Sequence, residues 1–511
     1  MTPPVINHIV ANPPAAGHRI SFARLDGVEV LELRELHARA GRLALSLRGL
    51  GAGRGDRIGV FAANSLEWVL LDLAALRLGA VTVGFDPGKF DADGGLVDRY
   101  ELTLLFADRH AGALGARSIG EVRRLADRHA AAETLRPVGY APDDVTTLKL
   151  TSGSTGVPKA LTASVGSIDS SLHAVQGMFA HGPGDNLFVF LPLSVLQQRY
   201  WIYSALRFGH DVTVSTYEAA FPAMGRTQPT VVMGVPAFYE TAKRHIEAQA
   251  GRAGPEVAGD EAVRAAARQL FGRRIRYLWT GSAPAATGML RFFTEAGLPI
   301  FEGYGLNETD IVSKNHPGAS REGSVGRVLP GKQVLLDADG VISVRSDHPV
   351  CRRYECAAPG ESERVFGEDG VVRTGDLGHL DQDGFLFIRG RADDVIVLEN
   401  GRKIIVRPIE ERMKASAAIE ECVLFCPAQT HLVAVVSPSQ EPADEAAIAA
   451  QLALANSTAG RDEQIRRVVV ARSRFSVEND LLTSQLKPRR GRILEAYHAE
   501  IHDNQGGILA R

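Results

Sequence analysis

The sequence predicts an α/β protein with a large N-terminal domain of mostly parallel, helix-flanked sheets, a β-rich subdomain and a small mobile α+β domain. Three observations lead to this prediction. Short apolar strands alternate with helical patterns over more than half of the chain. A segment of short strands and tight turns follows, and a mixed segment comes last. Alternating strands and helices are typical of buried parallel sheets covered by helices.

The clearest strand–helix–strand unit begins at Arg57. The apolar stretch RIGVFA is followed by Asn64 and Ser65, both good helix caps, and then by SLEWVLLDLAALRL, whose apolar residues recur at helical spacing. Gly79 is placed to end that helix, and AVTVG is the next strand. Similar alternation predicts further strands at 102–107, 186–193, 211–215, 230–234 and 274–279.

The later part of the chain has a different pattern of predicted strands, turns and helices. Between Arg327 and Ile388 the turns DADG, GEDG and DQDG predict hairpins and few helices. After Arg391 come VIVL, the turn ENG, KIIV, a helix begun near Pro408, the strands ECVLF and HLVAVV, and a helix at 443–455. These elements predict a small α+β domain. Residues 251–269 read as a surface loop leading into an exposed helix.

Length and composition limit the possible functions. At 511 residues the chain needs several cores, and a net charge of −3 offers no global positive field for nucleic acid or an anionic membrane. Neither a leader pattern nor 18 consecutive apolar residues occur, so we expect a cytoplasmic protein without membrane spans. Free thiols are expected for the cysteines, whose spacing does not match a zinc knuckle: Cys351, Cys356, Cys422 and Cys426.

A loop suited to phosphate binding, TSGSTGVPK, follows the apolar stretch LKL. Its glycines permit unusual backbone angles, its hydroxyls and amides can donate to phosphate oxygens, and Lys159 adds a cation. It is not a Walker loop, because Val157 and Pro158 separate the glycine from the lysine. A flexible linker is the alternative, but it does not explain a Pro-Lys pair after a buried strand. The other residues assigned to phosphate are Thr151, Ser152, Gly153, Ser154, Thr155 and Gly156.

This loop resembles the phosphate loop of the acyl-adenylate-forming superfamily, which includes acyl-CoA synthetases, peptide-synthetase adenylation domains and firefly luciferase. Four later segments resemble further motifs of that superfamily in the same order. They are GSAPAA at 281–286, FEGYGLNET at 301–309, the segment at 374–404 and LLTSQLKPRRGRI at 481–493. VPAFYE and RYLWTGSAP are most similar to long-chain fatty acyl-CoA synthetases. The resemblance implies ATP and Mg²⁺ as cofactors.

The resemblance also implies individual roles in catalysis. Lys487 matches the lysine that bridges the attacking carboxylate and the α-phosphate, and Lys159 offsets further charge. Asn307 replaces the superfamily's threonine, and its amide can still bond to an α-phosphate oxygen. Asp393 matches the hinge residue, which divides the chain into a large domain at 1–392 and a lid domain at 393–511. For Lys487 the alternative is a solvated basic tail, and for Asp393 a plain loop aspartate.

Nucleotide and metal roles are implied in the same way. Asp376 matches the aspartate that accepts both ribose hydroxyls, Tyr304 offers a face for adenine, Arg391 matches a ribose and phosphate contact, and Glu308 is placed to bind Mg²⁺. Structural roles in a turn, a core, a surface ion pair or a helix start are the respective alternatives. The remaining residues implied for the nucleotide pocket are Gly281, Ser282, Ala283, Glu302, Gly303 and Ile388.

The substrate side departs from the superfamily pattern. Val195 stands where many relatives carry a histidine near the bound carboxylate and the thiol tunnel, and the segment at 86–150 looks shorter than in fatty acyl-CoA synthetases. The residues predicted for the substrate pocket are Val195, Arg199, Gly234, Val235 and Gly305.

Three functions therefore remain open. The first is activation of a fatty or aryl acid as acyl-AMP, followed by transfer to CoA, a carrier protein or an amine. The second resembles an ATP-dependent diazotase of natural-product biosynthesis, which activates nitrite for attack by an aryl amine. The third is an adenylate-binding protein without turnover.

Overall fold

A computed structural model of the protein describes residues 4–90, 95–109, 111–130, 133, 135–151, 158–252, 259–367, 369–483, 487–502 and 507–510. By its internal packing the chain divides into two compact units. The first unit comprises residues 1–335, 343–374 and 382–386, and the second comprises 336–342, 375–381 and 387–511. The α/β class predicted from the sequence is confirmed.

A six-stranded sheet in the first unit contains the predicted strand–helix–strand unit. Strand Arg57–Phe61 pairs in parallel with Val81–Phe85, and helix Leu66–Leu78 connects them. Ser65 caps this helix by accepting a hydrogen bond from the Trp68 amide at 3.1 Å, and Gly79 ends it in the left-handed region at φ +84°. In spatial order the strands are Arg117–Ser118, Leu102–Ala107, Arg57–Phe61, Val81–Phe85, Val145–Thr151 and Lys159–Ser164.

The second large sheet of this unit has nine strands and a parallel centre flanked by antiparallel edges. In spatial order they are Arg327–Val328, Asp310–Lys314, Ile300–Leu306, Tyr277–Thr280, Val231–Gly234, Asn186–Val189, Asp211–Val214, Arg19–Ala23 and Val28–Glu32. The strand predicted from Arg274 begins only at Tyr277, because Arg274 and Arg276 extend their guanidinium groups to Gly184 and Asp185 at the surface.

Helices cover these two sheets, as the sequence predicts. Those described in the first unit are Val5–Ala11, Leu33–Gly49, Leu66–Leu78, Gly95–Arg99, Glu121–Ala126, Val165–Phe179, Leu196–Phe208, Ala220–Thr227, Pro236–Ala250, Gly259–Phe271, Thr287–Glu295 and Glu361–Val365. The segment predicted as a loop leading into a helix contains Gly259–Phe271, while residues 253–258 lie outside the described part. None of the described helices combines the length and apolar character needed to cross a bilayer.

The β-rich segment expected between Arg327 and Ile388 is present. A four-stranded sheet has the order Lys332–Leu336, Val341–Ser346, Val372–Leu380 and Leu386–Arg391. A single short helix, Glu361–Val365, interrupts the described residues of this segment.

The second unit is a small α+β structure. A hairpin of Ile396–Val397 and Lys403–Ile404 precedes helix Arg407–Met413, which has Pro408 in its first turn. Alternate residues of the central strands face two apolar clusters, so both faces of this sheet are buried. Its strands are Ile419–Phe425, Leu432–Pro438, Ile465–Val470 and Ile508–Leu509, and further helices are Glu445–Ser457, Arg490–Ala496 and His498–His502. The hinge at Asp393 stays a prediction.

Buried histidines make the stability of the first unit depend on pH. Burial lowers the pKa of His181 to about 3 and that of His210 to about 4. His37 reaches about 4 through burial and the nearby Arg77. The unfolded chain protonates histidine near pH 6.5 and so binds more protons below that pH. The contribution of these histidines to the stability is therefore fully present above pH 6.5 and is lost as the pH falls toward 4. Asp169, whose pKa burial raises to about 6, opposes part of this loss.

We expect the variant His210→Asn to flatten this dependence. Each pKa unit corresponds to 1.36 kcal/mol, so His210 accounts for about 3 kcal/mol of the loss between pH 6.5 and 4. Asparagine retains a donor for the Asp211 carbonyl, which the His210 ring contacts at 2.8 Å. Urea unfolding at a series of pH values measures the slope, with His245→Gln as the exposed control. An unchanged slope in His210→Asn would show that this ring is not kept neutral by the fold.

Candidate active site

The phosphate loop is the connection of a β-hairpin. Strand Val145–Thr151 pairs with Lys159–Ser164, and Thr151 lies directly opposite Lys159. The predicted phosphate contacts at 152–156 lie outside the described residues. Lys159, the first residue of the strand after the loop, forms an ion pair with Glu361, with 2.9 Å between Nζ and Oε1. Because this partner is an exchangeable carboxylate, a phosphate group can compete for the lysine.

Tyr354 connects Lys159 with the predicted metal ligand Glu308. The Lys159 ammonium lies 5.0 Å from the centroid of the Tyr354 ring, and the Tyr354 hydroxyl donates to Glu308 Oε1 at 2.7 Å. Burial and the adjacent Glu308 raise the pKa of Tyr354, so its hydroxyl stays protonated and able to donate. Neither Tyr354 nor Glu361 was predicted, because the stretch of sequence that contains them has no recognisable motif or periodicity.

Glu308 is a suitable single protein ligand for magnesium. Among the described residues, no group of three or more histidine, cysteine, aspartate or glutamate side chains is arranged to hold a metal ion. Mg²⁺ usually takes only one or two protein carboxylates and completes its octahedral shell with phosphate oxygens and water. A partly buried carboxylate oriented by Tyr354 fits that mode of binding.

The hairpin that carries Glu308 also carries the predicted adenine and α-phosphate contacts. Strand Ile300–Leu306 turns back into Asp310–Lys314, with a register shift between Tyr304 and Gly305. A Cβ atom on Gly305 would lie 2.0 Å from the Asp310 carbonyl oxygen, so only glycine fits there. Tyr304 and Gly303 are half-buried, whereas Asn307 is exposed at the turn.

The predicted adenine-binding loop lies against this hairpin. The Ala285 amide donates to Glu302 Oε1 at 3.4 Å, which links the loop 281–286 to strand Ile300–Leu306. Within the loop Ser282 has φ +69° and is exposed, while Gly281 and Ala283 are half-buried. The structure thus brings together the two motifs that the resemblance assigns to adenine.

A buried ion pair joins this hairpin to the strand that leads into the phosphate loop. Lys149 Nζ lies 2.9 Å from Asp310 Oδ1 and donates to the Asn307 carbonyl at 2.7 Å. The Tyr200 hydroxyl donates to the other Asp310 oxygen at 2.7 Å. Lys149 is 4% exposed and Asp310 is fully buried. Both were missed, although a lysine inside the apolar stretch LKL was a possible signal.

Two of the predicted substrate residues, Val195 and Val235, lie directly before a helix, whereas Arg199 is buried within one. Val195 is half-buried and precedes helix Leu196–Phe208, and Val235 precedes helix Pro236–Ala250. A Cβ atom on Gly234 would lie 3.0 Å from the Tyr239 ring, which accounts for glycine there. Arg199 is fully buried and pairs with Asp72 at 2.5 Å. A role for Arg199 at the substrate stays a prediction.

In the second unit, the predicted ribose ligand Asp376 is buried beside Arg391. Arg391 Nη1 donates to Asp376 Oδ1 at 3.0 Å, and its other terminal nitrogen lies 3.6 Å from Asp393 Oδ2. A Cβ atom on Gly375 would lie 2.8 Å from the Arg391 guanidinium, and its φ of +71° also favours glycine. Ile388 is half-buried on the same strand as Arg391.

Lys487 lies within electrostatic reach of this pair. Partial desolvation lowers the pKa of Lys487, although the residue keeps surface exposure. The negative charge of Asp376 opposes this change, and the positive charge of Arg391 adds to it. The Thr483 amide donates to the Lys487 carbonyl at 2.8 Å and so holds the backbone beside the lysine. The second unit therefore gathers the predicted catalytic lysine, ribose aspartate and arginine from three separate segments.

These groups match the requirements of one kind of chemistry. Transfer of an adenylyl group needs cations for phosphate charge, a metal carboxylate and a fixed ribose, and the two units contain a residue suited to each. The fold and these residues define the class of adenylate-forming enzymes, which act as AMP-forming ligases. The model of the AMP-binding enzyme family matches residues 14–346, and that of the AMP-binding enzyme C-terminal domain matches 393–504. The protein belongs to the AMP-binding enzyme family.

Similar proteins support the same class. A long-chain fatty-acid CoA ligase of Mycobacterium bovis is 28% identical over 90% of this chain and 89% of its own. A 3-hydroxybenzoate/4-hydroxybenzoate CoA ligase of Thauera aromatica is 27% identical over 82% of this chain and 83% of its own. The fold is similar to o-succinylbenzoate CoA synthetase from Bacillus subtilis solved with AMP, with a TM-score of 0.76, 20% identity and coverage of 99% and 100%.

Proposed function

We propose that the protein activates a carboxylic acid as acyl-AMP with release of pyrophosphate, and then transfers the acyl group to a thiol or amine acceptor. The electrostatic interaction of Lys487 with Asp376 and Arg391 supports this proposal, because it associates a cation with the residues assigned to the ribose. CoA is the first acceptor to test, since the similar enzymes are named CoA ligases. A carrier protein is the next acceptor to test.

In the proposed reaction a carboxylate oxygen attacks the α-phosphorus of ATP, and the bond from that phosphorus to the pyrophosphate oxygen breaks. Lys487 and the Asn307 amide stabilise the charge that builds on the α-phosphate and the attacking oxygen. Lys159 exchanges its Glu361 partner for the departing phosphates. Glu308 would hold Mg²⁺, which would supply positive charge against the phosphates. Rotation about Asp393 then admits the acceptor.

A second candidate function is the diazotase reaction, in which nitrite replaces the carboxylate and an aryl amine is the acceptor. The observation that favours it is Val195, which occupies the expected histidine position with a side chain that neither donates a hydrogen bond nor carries charge. Since no thiol has to enter in that reaction, valine is tolerable there.

Pyrophosphate release with panels of acids distinguishes these functions. The panels are fatty acids, aryl acids, and nitrite with or without an aryl amine, each with ATP and Mg²⁺, and CoA thioesters are assayed separately. We expect release with at least one carboxylic acid. Release only with nitrite plus amine would favour the diazotase reaction, and no release with any acid would favour a binding protein without turnover.

A further inference from the structure

A buried lysine that the proposed mechanism does not use lies directly against the nucleotide motifs. Lys314, at the end of strand Asp310–Lys314, is 4% exposed, and its ammonium lies 3.9 Å from the centroid of the Trp279 ring. A Cβ atom on Gly303 would lie 2.6 Å from Lys314 Cδ, so the side chain runs past the FEGYG strand. Its position is therefore tied to that of the adenine-binding hairpin.

The hydrogen-bond partners of Lys314 in the described part of the chain are two backbone carbonyls. Its ammonium donates to the Phe301 carbonyl at 3.0 Å and to the Thr280 carbonyl at 3.3 Å. An ammonium has three donors, so these two bonds leave one donor, which can face the Trp279 ring or bind a stronger acceptor such as an oxygen atom. Burial lowers its pKa well below the usual lysine value, and Glu302 offsets this only in part. Burying a lysine without a full set of partners costs free energy of folding. A role in binding would explain why one is retained here.

The surroundings of Lys314 contain further unused hydrogen-bonding groups. Trp201 packs against Trp279 with 4.6 Å between ring centroids, and Phe179 lies edge-on to Trp279 at 4.8 Å. Within the described part of the chain, four buried atoms near this cluster have no hydrogen-bond partner: Trp201 Nε1, Trp279 Nε1, Thr280 Oγ1 and His181 Nδ1. Indole nitrogens only donate, so Trp201 and Trp279 each present a buried N–H that an oxygen acceptor can satisfy.

We propose that this cluster is the distal end of the acid-binding pocket, and that Lys314 selects an aromatic acid carrying an oxygen acceptor, such as a hydroxyl or second carboxylate, on its ring. The inference rests on the proposed function and specifies its substrate class. The aromatic side chains suit a flat ring, and the lysine and indole donors suit an oxygen at its far end. A saturated fatty chain would leave these buried donors unpaired, which a polar site penalises strongly.

The position of the cluster in the fold supports this assignment. Strand Tyr277–Thr280, which carries Trp279 and Thr280, leads directly into Gly281 of the adenine-binding loop. Trp201 is on helix Leu196–Phe208, which begins immediately after Val195. The cluster thus adjoins both the nucleotide loop and the helix that the sequence assigns to the substrate.

The variant Lys314→Met tests the inference by acid selectivity. Methionine keeps an unbranched apolar side chain but removes the donors. In the parent enzyme we expect 3-hydroxybenzoate, 4-hydroxybenzoate or isophthalate to exceed benzoate and octanoate in kcat/KM for pyrophosphate release. In Lys314→Met we expect the value for the oxygen-bearing acids to fall about 10- to 100-fold, with benzoate and octanoate unchanged or improved. Lys243→Met is the control, because Lys243 also faces a ring, that of Phe292, but near the surface.

Tryptophan fluorescence separates this inference from the proposed function. Two of the three tryptophans lie in the cluster, so acid binding is expected to change the emission without turnover. If no acid releases pyrophosphate but hydroxybenzoates change the emission and Lys314→Met abolishes that change, the proposed function fails and the inference stands. An equal loss for all acids, or an unchanged preference in Lys314→Met, overturns the inference. Lys314→Arg, which keeps hydrogen-bond donors, should retain part of the preference, and it provides a second test if the methionine variant does not fold.

Discussion

Replacing Lys487 with alanine is expected to lower the rate of pyrophosphate release about 100- to 1,000-fold while leaving ATP binding nearly intact. A preorganised donor aimed at developing charge contributes more to the transition state than to the bound ground state, and its loss has an effect of this size. Asp376 and Arg391, the proposed contacts to the ribose side of the nucleotide, remain paired in this variant, so affinity for ATP should change little.

The matched control is Arg492→Ala, which removes a cation from the same basic segment. Arg492 is exposed and pairs with Asp480 and Glu495, so its loss should leave both rate and affinity within about twofold, as for most surface charges. Single-turnover pyrophosphate release measures the rate, and calorimetric titration with ATP measures the affinity. Loss of ATP binding in Lys487→Ala would overturn the catalytic assignment and make the lysine a nucleotide-binding residue.

Replacing Lys149 with methionine is expected to destabilise the first unit by about 3–5 kcal/mol, because the substitution leaves Asp310 buried without its cation. Asp310 is fully buried, and after the substitution Tyr200 is the side-chain donor that it retains among the described residues. The same substitution frees the Asn307 carbonyl, so the turn that carries Asn307 and Glu308 loses a support. We therefore expect a loss of adenylation as well as of stability.

A double-mutant cycle with Asp310→Asn measures this coupling. Removing both charges should recover much of the free energy of unfolding lost in Lys149→Met, since no uncompensated buried charge remains. The partly exposed pair of Lys243 and Glu247, with 3.7 Å between the charged atoms, is the comparison, and its coupling should be below about 1 kcal/mol. Additive effects of Lys149→Met and Asp310→Asn in urea unfolding would show that the two charges do not act as a pair.

Much of the fold follows from local patterns. Helix Leu66–Leu78 begins after Ser65 and ends at Gly79 because a side-chain cap and a left-handed glycine are local features that a sequence displays. Strand ends were less predictable. Arg274 and Arg276 belong to an apolar run by pattern, yet their charged groups bind surface carbonyl and carboxylate partners and delay the strand to Tyr277.

The candidate site was predictable where motifs mark it and unpredictable where remote segments meet. Lys159 and Glu308 stand out in the sequence, but Tyr354, which contacts both, belongs to a segment with no periodic pattern. Lys149 is a single charge in an apolar strand, and only the folded chain shows that Asp310 is its partner. Arg199, expected near the substrate, is drawn to Asp72 because a fully buried guanidinium needs a counter-charge.

The sequence by itself determined the class of chemistry, because a phosphate loop and the later ordered motifs are runs of neighbouring residues whose types report their task. Only the tertiary structure decided which side chains stand beside them. Lys314 shows the physical reason: its carbonyl partners and the Trp279 ring come from other strands, so its burial and spare donor exist only once those strands pair. The specificity proposed for the acid therefore depends on the fold, whereas the use of ATP is already implied by the motifs.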